Sequence, residues 1–155
     1  MCGCPTRMIS TVINLKRLYE DDYLLWLETN IQLLNERQLD GLDYDNLVEE
    51  LTDLGRSERR VAENLLKQLL IHLLLYQYWL TERERNANHW KGEIINFREQ
   101  LKREFRAKTI YNYAVSEFAE IYEVAAKVAE AKSGVAIPSQ CPYLFEQVIS
   151  GNWLP

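Results

Sequence analysis

From Tyr19 onward the apolar positions of the chain recur every three to four residues, and polar residues fill the gaps. Tyr23, Trp26, Leu27, Asn30, Ile31 and Leu34 fall on one face of a predicted helix. Asp21 and Asp22 suit its N-terminus, and Gly41 suits its end. Leu47, Leu51 and Leu54 predict a second, short helix, with Asp43 as its N-cap and Gly55 as its stop. A long helix follows from about Ser57 to Arg83. Its middle, "NLLKQLLIHLLLYQYWL", is apolar nearly all round, the mark of a helix buried on most sides.

"ERERNAN" then reads as a polar break, with Asn88 capping a fourth helix whose seam is Trp90, Ile94, Phe97, Leu101 and Phe105. A fifth helix places Ile110, Ala114, Phe118, Ile121, Ala125 and Val128 on one face and stops at Gly134. A loop with Pro138, a short helix with Pro142 at its first position and an apolar Trp153-Leu154 end complete the reading. No stretch alternates as a strand would. The pattern predicts an all-α fold: an antiparallel bundle of four to five main helices plus a short C-terminal helix. Residues 19–155 are expected to form a single domain, and residues 1–18 a loosely attached tail.

A chain of 155 residues can bury roughly 70% of its unfolded surface, enough for a core without staples. The net charge of −5 argues against coating nucleic acid through bulk charge. Cys2, Cys4 and Cys141 are odd in number and make no disulfide framework, which fits a reducing cytoplasm. Lys67, Gln68, His72 and Gln77 interrupt the most apolar helix, so no run approaches the ~20 residues of a membrane span. The N-terminus carries no signal-peptide pattern.

The candidate chemistry is sparse. Asn64, Gln68, His72 and Tyr76 are four residues apart, a polar stripe along the apolar helix. Such a stripe needs hydrogen-bond partners, and Asn30, Tyr111, Tyr113 and Tyr122 are on offer. Glu49 and Glu50, with His72 and with Glu93 (itself paired with His89 at i, i+4), are the candidate metal ligands. The Glu-x-x-His spacing of di-metal bundles is lacking. Arg56, Arg59 and Arg60 are expected to neutralise Glu49, Glu50 and Asp53 across a corner at Gly55, or else to hold an anion near Ser57. Arg98, Lys102, Arg103, Arg106 and Lys108 form a second basic run. Cys141 stands at a predicted helix N-terminus, a position that can lower a thiol pKa, and a buried or capping thiol is its expected role.

Five blocks, "YEDDYLLWL", "LVEELTDLGRSERR", "LLIHLLLYQYW", "HWKGEIINFREQL" and "IPSQCPYLFEQVISGNWLP", occur in one order. That order resembles the bacterial, largely cyanobacterial, family called domain of unknown function twenty-nine, over about Tyr19 to Pro155. The resemblance implies a small helical protein and no activity.

No catalytic set and no cofactor emerge. The reading is a non-enzymatic interaction or regulatory helical domain whose partner is another protein or a second copy of itself, with no membrane. Its alternatives are a metal-binding or metal-dependent bundle using Glu49 or Glu50 with His72, and a nucleic-acid-associated protein using the Arg98 to Lys108 face.

Overall fold

The computed structural model describes residues 14–155. Cys2, Cys4 and most of the expected tail lie outside them. Six α-helices follow in chain order: α1 (Leu15–Asp21), α2 (Tyr23–Asn35), α3 (Tyr44–Tyr78), α4 (Leu80–Glu104), α5 (Lys108–Ser133) and α6 (Phe145–Ile149). No strand occurs among the described residues, so the fold is all-α, as the periodicity requires. The chain divides into two compact units, one ending at Leu54 and the other running from Gly55 to Pro155.

In the first unit, α1 starts at Leu15, inside the segment read as tail, because Asn14 caps it and accepts the Arg17 N–H at 3.3 Å. Asp22 caps α2 through the Leu25 N–H at 3.1 Å, as its sequence position predicts. The unit's buried centre is small and partly polar. Trp26 and Asn30 are sealed, with Asp43 beside them. Trp26 Nε1 donates to Asp43 Oδ2 at 3.0 Å, and Asn30 Oδ1 accepts the Asp43 N–H at 3.2 Å. Asp43 also stands at the cap of α3, its carbonyl accepting the Leu47 N–H at 3.0 Å.

Two predicted boundaries are corrected here. Gly55 does not end a helix: α3 runs through it for 35 residues. One interior glycine costs about 1 kcal/mol against alanine, less than interrupting a helix with strong formers on both sides. "ERERNAN" is not a break, and Asn88 caps nothing, since both lie inside α4. The turn comes earlier, at Trp79 alone. Arg83 makes that turn workable: its Nε donates to Tyr76 O at 2.7 Å and its Nη2 to Gln77 O at 3.3 Å, covering carbonyls at the end of α3. Glu82 adds an N-terminal carboxylate to α4.

In the second unit, His72 opposite Phe97 and Tyr76 beneath Lys91 fix α3 and α4 as antiparallel neighbours. The leucine run supplies the core. Leu66, Leu69, Leu70, Leu73 and Leu74 are fully buried against Trp90, Ile94 and Leu101 of α4 and Ala114, Ile121, Ala125 and Ala129 of α5. Phe145 of α6 fills the remaining end and meets Phe105, Tyr111 and Phe118 at 5.3–6.0 Å between ring centroids. Gly134 stops α5 at φ 69°, as read from the sequence. The short C-terminal helix starts at Phe145 rather than Pro142, with Gln147 Oε1 accepting the Leu144 N–H at 2.9 Å.

Two glycines give opposite expectations. Gly92 lies within α4 with open space where a Cβ would stand, so Gly92→Ala is expected to stabilise by about 1 kcal/mol. Gly134→Ala forces a side chain onto left-handed backbone and is expected to destabilise by about 1–2 kcal/mol. Urea unfolding followed by circular dichroism reads both, and a loss in the first or a gain in the second contradicts the assignment.

Candidate functional site

The sequence expects α2 and the start of α3 to bury their apolar faces, but the structure leaves most of those faces in solvent. Of the predicted α2 face, Trp26 and Asn30 are buried, whereas Tyr23, Ile31 and Leu34 are exposed. On α3, Leu47 is half-buried while Val48, Leu51 and Leu54 are 61%, 66% and 63% exposed. Every residue from Leu51 to Val61 is exposed, a bare stretch of helix three turns long. Tyr44, Val48, Leu51 and Gly55 step by four, three and four, one apolar stripe that ends on a glycine. Gly55 has nothing within 4 Å of an added Cβ, so packing within the chain does not require it.

The acidic residues beside this stripe have distinct neighbours. Glu50 accepts the Tyr19 hydroxyl at 2.6 Å and the Tyr23 hydroxyl at 2.7 Å. Those bonds, Tyr19 first, hold its carboxyl below the usual range and raise both phenols. The two rings pack on Trp26 with centroids 4.9 and 5.6 Å away. Burial pushes the Asp43 carboxyl up, but hydrogen bonds from Asn46 and Trp26 outweigh it and leave the group below the usual range. Glu49 is exposed. Among the described residues, no group of three or more His, Cys, Asp or Glu is placed to hold a metal ion.

The polar stripe of α3 lies along a partly open flank of the second unit. Asn64 is exposed and accepts Lys67 Nζ at 3.2 Å; Gln68, His72 and Tyr76 are half-buried. His72 is satisfied within its own helix, its Nδ1 lying 2.7 Å from the Gln68 carbonyl while its ring rests on Phe97. The suggested partners are engaged elsewhere. Asn30 serves Trp26 and Asp43, Tyr122 donates to Pro138 O at 2.6 Å, and Tyr113 donates to Glu63. Tyr76 takes the Arg83 guanidinium over its ring at 4.8 Å. Glu93 and His89 are near enough to act on the His72 charge, the first favouring it and the second opposing it.

The corner expected at Gly55 does not exist, because α3 runs straight through it. Arg59 stacks over Tyr113 at 5.4 Å. Arg98 is separated from its basic run and buried. It lies four residues after Ile94 and three before Leu101, on the helix's core face, a spacing from which its burial was legible. The helix N-terminus expected at Cys141 is corrected: Cys141 precedes α6 by several residues and is half-buried, and burial pushes its thiol up.

With this geometry in place, comparison with known proteins decides the family. The family model described as Domain of unknown function DUF29 matches residues 18–154. The chain belongs to the DUF29 family. No curated protein and no solved structure matches this DUF29 chain. Among its described residues, no helix is long and apolar enough to cross a membrane.

His72 gives the DUF29 chain a pH dependence. Burial lowers its pKa below 6.5; the Gln68 carbonyl and Glu93 oppose that shift, while Lys132 and His89 reinforce it. The folded state therefore binds the proton less readily than the unfolded chain. Stability at this site is intact above pH 6.5 and declines as the pH falls through that value toward the lower folded pKa. His72→Gln is expected to flatten the acid-side loss of stability seen in urea titrations, and an unchanged slope contradicts it.

Proposed function

We propose that this protein is a non-enzymatic helical interaction domain and that its first partner is a second copy of itself. The observation that carries this reading is the bare, apolar start of α3. Ten large apolar side chains between Tyr23 and Leu54 are each 44–66% exposed.

Charge favours a second copy over an unrelated partner. Along α3, Glu49 and Glu50 precede the centre at Leu54-Gly55, and Arg59 and Arg60 follow it. Two such helices crossing antiparallel about a two-fold axis set Glu49 of one against Arg60 of the other, and Val48 against Val61. Gly55 then falls at the crossing, where the lack of a side chain lets backbones approach. This gives the glycine a role that nothing within the chain supplies.

The metal-dependent reading has less support, because Glu50 is held by two tyrosines and His72 by the Gln68 carbonyl. The nucleic-acid reading is weakened by the removal of Arg98 from its basic face.

Sedimentation velocity over a wide concentration range tests the proposal. The expected result is a reversible dimer. Leu51→Glu combined with Leu54→Glu is expected to yield a monomer with unchanged helical circular dichroism. A chain that stays monomeric throughout, or a double variant that still dimerises, overturns the reading.

A further inference from the structure

The second unit contains a cleft of about 460 Å³ walled by Leu101, Phe105, Tyr111 and Ile149. That is within the range of small-molecule sites, which are mostly apolar with a few placed polar groups. The buried charged group at this cleft is Arg98, only 6% exposed. Its Nε donates to Val148 O at 2.8 Å and its Nη2 to Gln147 O at 3.3 Å, anchoring the end of α6. These two bonds leave other N–H groups of the guanidinium unused, and among the described residues no carboxylate pairs with it.

A buried cation without an anion is costly, and native structures pair such charges. The unused N–H groups are not sealed in the core. Among the described residues, the buried side-chain polar atom without a hydrogen-bond partner is Asp43 Oδ1, and none belongs to Arg98. They are therefore within reach of solvent, and Arg98 is among the residues that line the cleft. At the rim, Lys102 and Glu99 offset each other, so the lining carries one net positive charge, from Arg98.

We propose that this cleft binds a small organic carboxylate with an apolar or aromatic body, its carboxylate on Arg98 and its body against Phe105, Tyr111 and Ile149. A planar monoanion matches a guanidinium fork and the single net charge. A phosphate dianion would leave charge uncompensated between apolar walls. The site belongs to the second unit alone and is independent of self-association through α3.

The test is an NMR titration of the labelled full chain with hydrocinnamate, with its neutral counterpart hydrocinnamamide and with inorganic phosphate. Hydrocinnamate is expected to shift the Arg98 Nε–H and the amides of Lys102, Phe105 and Gly151 saturably, and the amide to bind at least about tenfold more weakly, the effect of losing a charged hydrogen bond. Arg98→Gln is expected to abolish that discrimination. Because this variant also loosens α6, Ile149→Trp provides a second check: it fills the cleft, leaves Arg98 intact and is expected to remove the shifts. Equal binding of the amide, tighter binding of phosphate, absence of saturable shifts, or shifts that survive Ile149→Trp each overturn the proposal.

Discussion

The leucine-rich half of α3 is the element on which the second unit depends. From Leu66 to Leu75, seven of the ten residues are removed from water. At about 1.5–3 kcal/mol for each buried aliphatic side chain, this run outweighs any other single contribution in the unit. A helix apolar over so wide an arc cannot be satisfied by one neighbour. The turn at Trp79 brings back α4, and α5 follows with alanines along its contact face. Phe145, Tyr143 and Val148 of the C-terminal segment close the remainder. Polar groups then fasten the ends: Arg83 on the last carbonyls of α3, Tyr122 on Pro138 and Arg98 on the last carbonyls of α6.

The first unit is built on a different balance. Its sealed centre is one tryptophan, one asparagine and one carboxylate, joined by directional bonds. Such a centre fixes geometry well and buries little apolar area. The stripes on α2 and early α3 are as regular in spacing as those of the second unit, yet they face solvent. A regular stripe without cover is what an interaction domain presents, and this contrast links the fold to the proposed self-association.

Helix content was legible because periodicity belongs to one helix and needs no knowledge of its neighbours. The caps at Asp22 and Asp43, the stop at Gly134, and the seam through Trp90, Ile94 and Leu101 all follow from local spacing. The misplaced boundaries have a local cause too. Gly55 and "ERERNAN" carry weak breaking signals, and helix propagation overrides them. The true turn at Trp79 is stabilised by Arg83, whose reach back to Tyr76 and Gln77 no sequence window reveals.

The candidate chemistry divides in the same way. The sequence alone determined that the chain is helical, that its central helix is leucine-rich and apolar nearly all round, and that a polar stripe runs through His72. It put Arg98 in a basic run on the strength of its charge, although its spacing from Ile94 and Leu101 is that of the helix seam. Only the tertiary structure decided that His72 is satisfied by its own helix, that Glu50 belongs to two tyrosines, and that Arg98 ends beside an apolar cleft without an anion. It also decided which apolar faces are covered. Periodicity states which side of a helix is apolar; whether that side meets protein or water depends on what the other elements bring to it.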